Sequence, residues 1–196
     1  MKKQKVKKPN TSQEERKGFK NTVKFIWDNF KSVFITIFVV FIIFQFVLLN
    51  GIIPSSSMET TVMKGDSIIA FRMAYMFSQP KRGDIIIFNS EQTNHTEYIK
   101  RVIGVGGDIV ELKDGEVYVN DKKLEENYIQ GKTYVGDNNI SKFKVPEGCV
   151  LVFGDNRENS ADSRFMNNPY IKCEDITGKL ILRYSIFGNG FFFKLI

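Results

Sequence analysis

Histidine and cysteine are scarce in this 196-residue chain, which has one of the former and two of the latter. The lone histidine, His95, sits in the polar stretch EQTNHTEY without apolar neighbours or an obvious carboxylate partner. It reads as a solvated loop residue, which makes a Ser-His-Asp hydrolase a weak proposal. Cys149 and Cys173 have no metal-site spacing, so no zinc centre is implied. Their contexts, GCVLVF and IKCEDI, fit free buried thiols as well as a disulfide, and both readings stay open. Basic charge is scarce outside the N-terminus. Residues 1–31 hold ten of the 28 Lys and Arg against three of the 22 Asp and Glu, a net of +7, and the remaining 18 basic against 19 acidic residues net −1. A nearly neutral folded part has no electrostatic reason to track phosphates, so nucleic acid is not an expected partner.

What the chain does have is a long uncharged run. Val33 to Ile53 reads VFITIFVVFIIFQFVLLNGII, interrupted only by Thr36, Gln45, Asn50 and Gly51. As a helix it would extend roughly 31 Å, enough to cross a bilayer core. It is apolar all round, unlike the one-sided stripe of a surface helix, and longer than the apolar region of about 7 to 15 residues in a cleaved secretory signal. A retained anchor is expected. The basic flank then belongs on the cytoplasmic side, with residues from about 54 onward on the other face and anionic lipid as a secondary contact.

Residues 1–20 are polar and lysine-rich and read as disordered. Beyond the anchor, short β-like runs alternate with turn signals: 67–71, 84–88, 97–105, 109–112, 117–119, 150–153 and 179–184. A mainly β domain of antiparallel sheets or a partly closed barrel is expected. Residues 120–145 are irregular and polar, with a turn at Asn138-Asn139, and read as a surface insertion. Two apolar stretches, 73–77 and 191–193, are ambiguous between core packing and contact with a lipid surface.

Three segments could carry chemistry. The first is Pro54-Ser55-Ser56-Ser57-Met58, which taken alone is an ordinary linker. The second is Tyr98-Ile99-Lys100-Arg101-Val102, where strand alternation points Lys100 to the face of Tyr98 and Val102 and Arg101 to the other. One of these cations can enter the interior, although two surface charges on an edge strand fit as well. A buried lysine loses its ammonium near neutral pH and can replace histidine as the base for a serine. The third is GDNRENSADSR at 154–164, either a solvated loop or a rigid polar support for a buried amine.

Together, IPSSSM (53–58), GDIIIF (83–88), YIKRVIGVGGDIV (98–110), GDNRENSADSR (154–164) and GKLILRY (178–184) resemble the bacterial type I signal peptidases, membrane-bound Ser/Lys proteases. The resemblance implies Ser57 as nucleophile, Lys100 as general base, and the Ser55 hydroxyl with the Ser57 amide as oxyanion donors. It implies that Ser160 bonds the lysine and that Asp162 and Arg164 brace the site. Ile53, Pro54, Met58, Val62, Tyr98 and Ile99 would line the pocket for a small residue. The implied substrates are preproteins cut after Ala-x-Ala-like ends, without metal or other cofactor. The division implied is a cytoplasmic tail at 1–31, a transmembrane helix at 32–53 and an extracytoplasmic catalytic domain at 54–196. Thr60 and Gly106 stand where the family usually has proline, which loosens the backbone without touching a reacting atom.

Overall fold

The structure, a computed structural model, describes residues 11–89, 96–129, 131–136, 139–185 and 190–196. His95, Asn138 and residues 1–10 lie outside the described residues. The chain divides into two compact units, Met1–Phe44 and Gln45–Ile196.

The first unit is dominated by helix α1 (Thr11–Ile42), which a π-helical turn continues over Ile43–Val47. Residues 11–20, expected to be disordered, are helical. Gln13, Glu14, Glu15, Arg16 and Lys17 are good helix formers, and the apolar segment that follows bears the cost of nucleation, so propagation backward is cheap. Gly18–Val47 is long and apolar enough to cross a membrane, and none of its apolar window is buried. Phe25, Phe34, Ile37 and Phe41 are all exposed, as the all-round apolar pattern requires of a span facing lipid.

The expected span of 32–53 is too long at its C-terminal end. Leu48–Ile52 is strand β1, paired antiparallel with β2 (Ser67–Phe71) from Leu48↔Phe71 to Ile52↔Ser67. Leu49 and Ile53 are buried while Ile52 is 72% exposed, so a two-residue alternation begins inside the uncharged run. Composition alone could not separate helix from strand there, because Leu and Ile are accepted by both and Asn50 and Gly51 favour neither.

The second unit is antiparallel throughout its described pairings. Its remaining strands are β3 (Ile85–Asn89), β4 (Glu97–Val105), β5 (Ile109–Lys113), β6 (Glu116–Val119), β7 (Lys122–Lys123), β8 (Lys142–Lys144), β9 (Cys149–Phe153), β10 (Tyr170–Lys172), β11 (Ile176–Ser185) and β12 (Phe192–Leu195). Among the described residues one sheet runs β1-β2-β11-β3-β4-β9-β10 with β12 on β11, and a smaller one runs β7-β6-β5-β8.

The continuous apolar runs IIIF (85–88) and VLVF (150–153) are explained by cover on both faces. Ile85 and Ile87 join one core cluster with Leu49, Met58, Val62 and Ile99, whereas Ile86 and Phe88 join another with Val102, Val150 and Val152. Leu151 and Phe153 face a third cluster, shared with Val110, Leu112, Val119 and Phe143 of the small sheet. The 120–145 segment is therefore more than a surface insertion: it supplies β7, β8 and the buried Phe143 and Val145. Met76, Phe77, Phe191 and Phe193 are exposed, which removes core packing as their role. Cys149 and Cys173 are partly buried free thiols.

Candidate active site

The loop after β1 is moored by apolar side chains. Ile53, Met58 and Val62 are almost wholly buried, and the Val62 amide donates to the Met58 carbonyl at 2.8 Å. Between these anchors the short polar stretch 55–57 is held at the surface of the core, with Ser57 itself 7% exposed. Opposite it, β4 is sandwiched between β3 and β9, with Lys100 paired to Ile86 and Arg101 to both Ile85 and Phe153. A central strand of this kind carries its polar side chains into the interior, and Lys100 is 3% exposed.

Lys100 Nζ lies 2.7 Å from Ser57 Oγ and donates to the Ile99 carbonyl at 2.9 Å. It also lies 5.4 Å from the centroid of the Tyr98 ring. Burial is the largest influence on this amine and brings its pKa down from 10.5 to about 8, against the opposing pull of Asp162 and Asp155. An amine so poised holds an appreciable neutral fraction near neutral pH, and across 2.7 Å the same contact then lets the hydroxyl donate to nitrogen. Ser55 Oγ is 3.4 Å from Ser57 Oγ, near enough for its hydroxyl to reach charge developing beside the serine.

An open cleft of about 380 Å³ borders this pair. Pro54, Tyr98 and Ile99 line it as the sequence implied, together with Ser55, Ser56, Thr96, Glu97, Asn159 and Ala161. Ile53, Met58 and Val62 do not. They are packed into the core cluster beneath the loop, where close packing with Ile68, Ile85 and Ile99 keeps them from the opening. A larger cleft of about 540 Å³, between residues 112–115 and 132–135, has no comparable contact between a hydroxyl and a base; its buried Thr133 hydroxyl is engaged by Arg157.

The loop 154–164 supports the pair from behind. Asp162 is fully buried and receives Arg164 Nε and Nη2, both at 2.9 Å, in a two-point clasp; its Oδ2 also accepts the Gly154 amide at 2.9 Å. The hydrogen bond expected between Ser160 and Lys100 is not formed. The Ser160 hydroxyl is buried without a hydrogen-bond partner among the described residues, and Lys100 Nζ is turned to Ser57 and to its own strand. Ser160 is instead pressed against Gly154, where an added Cβ would meet Ser160 Oγ at 2.2 Å and the Ser57 carbonyl at 2.5 Å. Gly154→Ala is therefore expected to displace the backbone of Ser57 and reduce turnover by about tenfold or more. Kinetics on a folded variant, checked by its thermal melt, measure this.

Sequence reasoning missed the other ion pairs. Arg101 was expected on the face away from Lys100, yet it too is buried, clasping Asp155 at 2.8 and 2.7 Å and lying 3.9 Å over the Tyr128 ring. Arg157 is fully buried against Glu126 and Thr133, and it donates to the Gly154 carbonyl at 3.0 Å. Glu126, Tyr128 and Thr133 come from the stretch read as an insertion. No local signal in the sequence marked them, because their partners Arg157 and Arg101 lie far along the chain.

Residues 26–185 match the family described as signal peptidase, peptidase S26. A probable signal peptidase I-2 from Synechocystis is 39% identical over 137 residues, which cover 67% of this chain and 61% of that protein. A signal peptidase I from Bacillus caldolyticus is 34% identical over 162 residues, covering 77% of this chain and 87% of that one. A crystal structure of a signal peptidase I from Enterococcus faecalis is 33% identical, covers 52% of this chain and 97% of its own, and gives a TM-score of 0.43. The chain spans just under two-thirds of the cyanobacterial relative and most of the Bacillus one. With a family match over that length and relatives at this identity, the chain belongs to the signal peptidase, peptidase S26 family.

Proposed function

We propose that this chain is a signal peptidase I, a membrane-anchored serine endopeptidase that removes N-terminal signal peptides from preproteins after Ala-x-Ala-like ends. The observation that carries the reading is the buried contact of 2.7 Å between Lys100 Nζ and Ser57 Oγ at the edge of an open cleft. Neutral Lys100 takes the Ser57 proton as Oγ attacks the scissile carbonyl. The Ser57 amide and the Ser55 hydroxyl receive the oxyanion. Protonated Lys100 then gives its proton to the leaving amine, and a water deprotonated by the same nitrogen hydrolyses the acyl-enzyme.

Selection of small residues is supported by the placement of Pro54, Tyr98 and Ile99 on the cleft wall beside Ser57, where a side chain next to the scissile bond would meet them. The apolar span and its basic flank support an orientation with the N-terminus in the cytoplasm and residues from 54 onward outside. A signal peptide is itself held in the bilayer, so confinement of both chains to one layer raises their effective concentration.

The test is cleavage of several unrelated preproteins by the full-length protein in detergent or vesicles. Wild type is expected to release mature chains from most of them. Ser57→Ala is expected to lose activity by at least ~10³-fold while keeping its melting temperature. Cleavage that persists in Ser57→Ala would remove the serine mechanism, and cleavage confined to one preprotein would mark a specialised peptidase.

A further inference from the structure

The peptide that joins Ser56 to Ser57 is held from one side by a single residue. Asn156 Nδ2 donates to the Ser56 carbonyl at 3.2 Å, and the Asn156 backbone amide donates to the Ser57 carbonyl at 3.1 Å. Both carbonyls flanking Ser57 are thus bound by the two donors of one asparagine. Asn159 adds a third hold, donating from Nδ2 to Ser56 Oγ at 2.7 Å.

A trans peptide is planar, with its C=O and N–H on opposite edges. Fixing the Ser56 oxygen toward Asn156 therefore fixes the Ser57 N–H toward the opposite side. Among the described residues that amide donates to no acceptor, although Ser57 is nearly buried, and an unpaired buried amide is costly unless something is to fill it. An oxyanion is such an acceptor, and a donor serves it only if aimed in advance.

We infer that Asn156 is a positioning residue that holds the 56–57 peptide plane so that the Ser57 amide points at the oxyanion. The inference rests on the peptidase reading above, since only acyl transfer gives that amide its task. Because Asn156 touches neither substrate nor reacting atoms, its loss acts on the transition state and leaves ground-state binding of substrate nearly as before.

The experiment compares wild type, Asn156→Ala, Asn156→Gln and Ser57→Ala as full-length proteins, using one preprotein and a peptide aldehyde ending in an Ala-x-Ala sequence. Ser57 Oγ adds to the aldehyde carbon, and the carbonyl oxygen becomes the oxyanion that the amide must meet. Asn156→Ala is expected to lower kcat by ~10- to 100-fold, below the full effect of deleting an oxyanion donor, with KM within about twofold of wild type. Its affinity for the aldehyde should fall by the same factor as kcat/KM, while the acid limb of its pH profile stays at the wild-type position. Asn156→Gln should recover part of the loss. Two results overturn the inference: Asn156→Ala with kcat and aldehyde affinity within twofold of wild type, or loss of kcat accompanied by a collapsed melting temperature and an equal rise in KM. Failure of the peptidase reading would look different, since wild type and Ser57→Ala would then cleave alike.

Discussion

Lys100→Met is expected to lower kcat for preprotein cleavage by about 10³-fold or more, because the side chain that takes the serine proton is replaced by one of similar length with no basic atom. In wild type the rate should climb with a one-proton slope as pH rises from 6 to 9, centred near the amine's pKa of about 8. Only the neutral amine accepts a proton, so the acid side of the profile is the titration of Lys100. A profile that is flat from pH 6 to 9 would eliminate Lys100 as the base.

The same amine leaves a mark on stability. Its pKa is about 8 folded and 10.5 unfolded, so between those values the unfolded chain binds more protons and stability increases with pH. Below pH 8 the whole cost of keeping the charged amine buried is felt. Urea unfolding of wild type should show increasing stability from pH 8 to 10.5, and Lys100→Met should lack that rise and exceed wild type at pH 7. The reactive amine is maintained at the expense of stability, as activated groups often are.

Arg164→Met is expected to reduce stability by about 3–5 kcal/mol, since it leaves the fully buried Asp162 carboxylate without its clasp. It should also move the kinetic midpoint to higher pH. Asp162 already raises the Lys100 pKa, and its pull grows when the neighbouring guanidinium no longer offsets it. Asp162→Asn should destabilise too but move the midpoint to lower pH, because the charge favouring the ammonium is gone. Stability therefore falls in both variants while their midpoints part in opposite directions. Midpoints that moved together would mean that the pair acts through packing alone.

Much of this site was legible from residue types and order. The family resemblance of their motifs implied Ser57, Lys100, Asp162 and Arg164; Lys100 contacts Ser57 beside the cleft, and Arg164 clasps Asp162 behind them. Strands β2 and β4 were read with their observed bounds, because alternation or breaks at Gly-Asp pairs delimit them. Strand β1 was hidden because its apolar residues continue those of the helix. Strands β7, β8 and β10 have two or three residues each, too few for any period to show. Arg101 escaped because alternation says which side a residue faces but not whether that side is covered. Glu126 and Thr133 escaped for a related reason: what buries them is Arg157, 31 and 24 residues away, and nothing beside them in the sequence announces it.

Those distances along the chain have a consequence for synthesis. Ser57 and Lys100 are 43 residues apart, Arg101 and Asp155 are 54 apart, and Ser56 and Asn156 are 100 apart. Contacts closing loops of this length form late in folding. Until β9 covers β4 and the loop 154–164 arrives, Lys100 is an ordinary hydrated ammonium and Ser57 an ordinary alcohol. A protease still leaving the ribosome is thus harmless to itself and its neighbours, and latency during biogenesis is written into the order in which distant segments meet.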